Sequence, residues 1–192
     1  VTKERLTAFT DGVIAVIITI MVLELKTPHD VTFESLREVA PKFAGYVLSF
    51  VYVAIYWNNH HHFFHLVERV NGAVLWANLH LLFWMSLIPF TTDWLGEHPG
   101  AAIPTAIYGA ALLLTATAWF IMQCAIIRCQ GPGSPLAAVI GRDLKGKIAP
   151  VLYLAGFALA FMRPWLADAV YAAVALMWLV PDRRIEAAIR EP

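Results

Sequence analysis

The sequence predicts an all-α, polytopic membrane protein with six spanning helices in a single domain, residues 1–192. Three observations predict it. Hydrophobic residues make up 59 % of the chain, charged residues only 15 %, and the mean hydropathy is +0.64, too apolar for a soluble core of this size. Six apolar stretches approach or exceed the roughly 17 to 25 helical residues that cross a hydrocarbon layer about 30 Å thick. Between them lie clusters of Gly, Pro and charged residues that break helices. Lys plus Arg and Asp plus Glu both number 14, so no net field points to nucleic acid or to an acidic substrate.

The first span covers about residues 6–25 and ends at Thr27 and Pro28. Lys3 and Arg5 precede it, but no small-residue cleavage site follows, so it is expected to be a retained span and not a leader. A polar connection, His29 to Glu38, leads to a second span from Pro41, a residue suited to a first helical turn, to Leu66. The third runs from Gly72 to Leu95 with Pro89 inside it, and the Gly96 to Gly100 cluster stops it. The fourth covers about 101–128, followed by a long Gly- and Pro-containing connection from Gln130 to Lys147. The last two, near 148–162 and 165–181, are shorter and separated by Arg163 and Pro164, which predicts a tight helical hairpin. Cys124 and Cys129 fit no metal or redox spacing and read as reduced packing residues.

An even number of spans puts both termini on one side. With the amino end in the cytoplasm, ten basic residues fall inside (Lys3, Arg5, Arg69, Arg128, Arg142, Lys145, Lys147, Arg183, Arg184 and Arg190) and four outside (Lys26, Arg37, Lys42 and Arg163), which the positive-inside rule favours. A bacterial inner membrane suits such a chain. There is no half-chain repeat, so a symmetric pathway would need several copies.

The first span holds an acid where lipid would penalise it. On an ideal helix of about 100° per residue, Gly12, Val16, Thr19 and Leu23 share one stripe, while Thr10 and Asp11 lie about 120° to 140° from Val16. A carboxylate turned to lipid would cost several kcal/mol, so Thr10 and Asp11 are expected to face the protein interior. Arg5 lies six residues from Asp11 on another face, so the donors must come from other spans. Trp57, His60 and His61 on the second span and Asn78 on the third reach the same layer, where His80 also falls.

The segment Arg5-Leu-Thr-Ala-Phe9-Thr10-Asp11-Gly, followed by Trp57-Asn-Asn-His60 with Phe64, then Leu75-Trp-Ala-Asn78 and Pro89-Phe-Thr, resembles the endolysosomal potassium channel family called transmembrane protein 175 and its bacterial homologues. The family pattern is Arg, three residues, then Phe-Ser-Asp at the start of the first helix. Thr10 stands where Ser is usual, keeping the hydroxyl and adding a methyl. The likeness covers most of the first three spans; the last three agree in hydropathy and length alone.

This resemblance implies a homotetramer in the bilayer with four copies of the first helix lining a central pore for monovalent cations. It implies no cofactor, only permeant potassium, and no TVGYG-type carbonyl filter, a motif the chain lacks. Counted from the aspartate, the constriction and selectivity layers are Val16, Thr19 and Leu23, the stripe found from helical geometry. Arg5, Phe9, Thr10 and Asp11 would form a structural network with Trp57, His60 and Asn78, making Asp11 a fastener and not an ion ligand. Arg5, close to the extension of the stripe, could otherwise edge the pore mouth.

Duller or different readings stand beside these. Apolar residues with Thr and Gly at this spacing also line ordinary helix contacts in membranes. His61 and His65, four apart, form a usable pair for zinc or nickel, but no carboxylate joins them as in HExxH, so they are read as polar-layer or interfacial residues and no metal is expected. Two other functions use the same residues: a proton-coupled transporter with Asp11 as carrier, and a metal-dependent membrane hydrolase using Asp11 and the His60 to His65 cluster. Neither is accompanied by a nucleophile elbow or a phosphate loop, and the chain is not expected to be an enzyme. Trp76, Trp94 and Trp165 are expected at membrane interfaces, where indoles settle.

Overall fold

Side chains that accept the first free N–H groups set several helix starts. In the computed structural model, which describes residues 2–131, 134, 136–137 and 144–179, Thr2 caps α1 (Lys3–Leu23) by accepting from the Arg5 N–H. Thr32 caps the short α2 (Phe33–Glu38) through the Ser35 N–H. This helix lies within the connection that reads in the sequence as merely polar. Next, α3 (Ala40–His65) has Pro41 in its first turn, where no N–H is missed. Asn71 caps α4 (Gly72–Ser86) through the Val74 N–H at 3.0 Å.

The third apolar stretch is not one continuous helix. Pro89 has no N–H to give to the preceding turn, and the ladder breaks at Leu87 before resuming as α5 (Ile88–Glu97), where the Thr91 N–H reaches the Leu87 carbonyl. Then α6 (Ala102–Gln130) runs to Gly131, whose φ of 97° suits a residue without Cβ. Finally α7 (Leu144–Ala160) and α8 (Pro164–Leu179) pack together, joined by a tight turn closed by the Arg163 N–H on the Leu159 carbonyl. Parts of the connection after Gly131, including Arg142, and the residues from 180 onward, with Arg183, Arg184 and Arg190, lie outside the described residues.

By length and composition α1, the α4–α5 unit (Gly72–Glu97) and α6 are each able to cross a membrane. The 26-residue α3 has the length but carries Lys42 at one end and the Asn58 to His62 run at the other. The apolar α8 is shorter, at 16 residues.

Two apolar clusters hold the bundle. Leu6, Ile14, Ile17 and Met21 of α1 join Val53, Phe63 and Phe64 of α3, Leu81 and Met85 of α4, and Met122 and Ile126 of α6. In the second, Tyr52, Tyr108, Leu112, Tyr153 and Tyr171 pack α3, α6, α7 and α8. Tyr171 of α8 sits where a Cβ on Gly109 of α6 or Gly156 of α7 would strike its ring. Its hydroxyl donates to the Thr105 carbonyl at 3.3 Å, and its own carbonyl accepts from Tyr52 at 2.5 Å. A further chain runs from Thr92 to Ser49 (2.6 Å) and on to Tyr108 (2.9 Å), so α5, α3 and α6 share buried hydroxyls.

Candidate functional site

Within one chain α1 has two opposed faces. Leu6, Thr10, Ile14, Ile17 and Met21 are buried against α3, α4 and α5. Val16 and Leu23 are 55 % and 79 % exposed, and Gly12 and Thr19 are also exposed. A Cβ on Gly12 would meet nothing within 4 Å, so packing inside this chain does not demand glycine there. The Thr19 hydroxyl donates to the Val16 carbonyl at 2.8 Å. Its proton is thus committed to the backbone, leaving the oxygen lone pairs to face outward.

Thr10, His60 and Asn78 are brought together and buried, each 2 % exposed or less. The Asn78 Nδ2 donates to the Thr10 hydroxyl at 2.8 Å, and its Oδ1 faces His60 Nε2 at 3.1 Å. With the amide oriented this way, His60 must carry a proton on Nε2 and donate it. His60 also stacks on Phe64, with ring centroids 4.2 Å apart. One asparagine therefore ties α1, α3 and α4 at a single depth. Replacing Asn78 with Leu leaves both partners unpaired and is expected to cost about 1–3 kcal/mol, read as a lower midpoint in detergent unfolding. An unchanged midpoint would show that the layer is not a fastener.

Asp11 departs from expectation, being exposed in the single chain and not interior. One step of about 100° from the buried Thr10 carries it to the edge of the helix. There its Oδ1 accepts from Trp57 Nε1 of α3 at 3.0 Å. His61 does not join the Thr10 layer; it pairs with His65, Nε2 to Nε2 at 3.2 Å. His80 accepts from Trp84 at 2.9 Å.

Arg5 and Phe9 are not in the polar network among the described residues: both are exposed, and neither side chain takes part in its hydrogen bonds. Helical geometry gives the reason. Both fall within about 20° of Val16 on an ideal helix. Arg5, Phe9, Gly12, Val16, Thr19 and Leu23 thus form one open row in alternating steps of four and three, the spacing of a seam between helices.

Sequence reasoning missed a cluster at the other end of α1. Lys42 of α3, largely buried, pairs with Asp93 of α5 and with Glu97 at 3.4 Å, while Lys26, just past α1, reaches the same Glu97 at 3.2 Å. The signal was Asp93, an acid inside an apolar run facing a lysine that seemed only to count toward topology. Trp76 and Trp165 are exposed, as interfacial indoles would be, whereas Trp94 is partly covered.

The chain is thus a helical bundle with helices able to cross a membrane, whose first helix is fastened by polar groups on one side and keeps its other face open. A crystal structure entitled a lysosomal potassium-selective channel TMEM175 homolog from Chamaesiphon minutus superposes with a TM-score of 0.80 at 30 % identity, covering 95 % of this chain and 97 % of that one. The family model for the endosomal/lysosomal potassium channel TMEM175 matches residues 5–89. A Chryseobacterium protein named a potassium channel is 50 % identical over 190 residues, 99 % of each chain. The chain belongs to the TMEM175 potassium channel family. A Danio rerio relative named an endosomal/lysosomal proton channel is 23 % identical over 117 residues, covering 58 % of this chain and 22 % of that protein.

Proposed function

We propose that four copies of the chain assemble in a bacterial inner membrane with the open row of α1 around a common axis, forming a potassium-selective pore. Six crossings per chain, α1, α3, α4–α5, α6, α7 and α8, leave both termini in the cytoplasm. The observation that carries this reading is that Val16, Thr19 and Leu23 stand exposed on the face of α1 opposite its buried one. Gly12 adds room for close approach of a sister helix.

Rings of Val16 and Leu23 would form apolar constrictions that an ion crosses by shedding water or by waiting for the ring to wet. Potassium holds its water less tightly than sodium, so a dehydration barrier favours it. Four Thr19 oxygens between the rings would stabilise the partly bare ion through the outward lone pairs. Arg5 and Phe9 would lie at the cytoplasmic mouth, and Asp11, held by Trp57, would orient α1 from beside the pathway.

The test is Thr19→Val, which keeps the shape and removes the oxygen. In bilayer recordings the reversal potential under potassium and sodium gradients should move toward that of an unselective pore. Unchanged selectivity would remove Thr19 from the filter, and side-chain exposure of the row to lipid in a particle reconstruction would end the pore reading altogether. Against the hydrolase alternative, His60 is buried on Asn78, and among the described residues no group of three His, Cys, Asp or Glu is placed to hold a metal. Substrate-dependent proton flux in liposomes without diffusive current would favour the transporter instead.

A further inference from the structure

We infer that His61 and His65 form a surface site for a divalent late transition metal of the zinc or copper class. The two residues lie one turn apart near the end of α3, both exposed, with their Nε2 atoms facing each other at 3.2 Å. A metal held at about 2.0–2.1 Å from each nitrogen would subtend about 103° between them, close to the tetrahedral angle. The separation of the two nitrogens therefore already matches that of two ligands on one ion. Imidazole suits zinc, copper and nickel and not the hard cations magnesium or calcium.

In the present contact one ring carries the hydrogen on Nε2 and the other offers its lone pair. Binding moves that hydrogen to Nδ1 of its own ring, so each Nε2 offers a lone pair to the ion. No third protein ligand stands close enough among the described residues, so water completes the shell. This distinguishes the site from the closed cages of structural zinc.

The site also has a mechanical neighbour. The Trp57 indole stacks on His61 with ring centroids 5.9 Å apart and planes at 24°, and the same indole donates to Asp11 of α1. Fixing the His61 ring fixes Trp57, and with it the rotation of α1. This effect on conduction rests on the pore reading above, whereas the binding itself does not.

The experiment uses the full chain, purified without a polyhistidine tag, titrated with cupric ion and followed by electron paramagnetic resonance. One copper per chain with splitting from two nitrogens is expected. His61→Ala and His65→Ala should each weaken binding at least about tenfold by removing the chelate, and His62→Ala should not. The same spectrum and affinity in the double variant His61→Gln/His65→Gln would overturn the site and leave an adventitious ion only. In liposomes, zinc should alter potassium flux in the wild type and not in the double variant. Zinc that binds the wild type without changing its flux would overturn the coupling to α1, a failure separable from the Thr19→Val result, which tests the pore.

Discussion

Replacing Val16 or Leu23 with alanine is expected to raise basal potassium flux through reconstituted protein by about tenfold, equivalent to lowering the crossing barrier by about 1.4 kcal/mol. Each substitution trims the tip of a side chain that is more than half exposed within its own chain, so it removes little buried contact. The unfolding midpoint should therefore stay where it is while conductance climbs. That separation matters, because a loosened fold could also leak. Substituting Ile17 instead, on the buried face, should lower the midpoint, and it is the proper control for a leak caused by poor packing. Single-channel conductance that is the same in wild type, Val16→Ala and Leu23→Ala would remove both rings from the pathway.

Placing a large side chain at Gly109 or Gly156 is expected to cost about 3 kcal/mol, the upper end of what overpacking usually takes. A Cβ at either position already collides with Tyr171, which is wholly buried and held at its hydroxyl and at its carbonyl. Leucine there must push α8 away from α6 or α7 and break those bonds. The check is a melting or detergent-unfolding series of Gly109→Leu and Gly156→Leu. The cost of Gly109→Ala should shrink when Tyr171 is also replaced by Leu, because the two changes share one contact. Additive costs would mean that the tyrosine does not wedge these helices.

The helical bundle and the two faces of α1 were legible because they follow from composition and a 100° repeat, which lipid and packing enforce along the whole helix. Thr10, His60 and Asn78 were legible for a related reason: polar groups within apolar runs must find each other at one depth. Asp11 was placed too far inward because depth and rotation were treated together, although a single residue step turns a side chain from core to edge. For Arg5 and Phe9 the likeness to a motif pointed to the network, whereas their own angular positions, within about 20° of Val16, point the other way. The break at Leu87 was half-visible in Pro89, whose effect on the ladder depends on what surrounds it. The Lys42 and Asp93 pair could not be seen at all from periodicity, since it joins positions 51 residues apart through tertiary packing.

One fastening of α1 lies close to its midpoint and the other just past its carboxyl end. Asn78 and Trp57 grip it at Thr10 and Asp11, and beyond Leu23 the Lys26 to Glu97 ion pair moors the chain to α5. A rod held near its middle and again just beyond one end does not swing like a door. In the proposed pore, any change of bore would come from bowing between these two points or from a small roll of α1 about its long axis. The mooring past Leu23 is an exposed ion pair that dissolved salt weakens, and the one at Thr10 is a buried amide that salt does not reach.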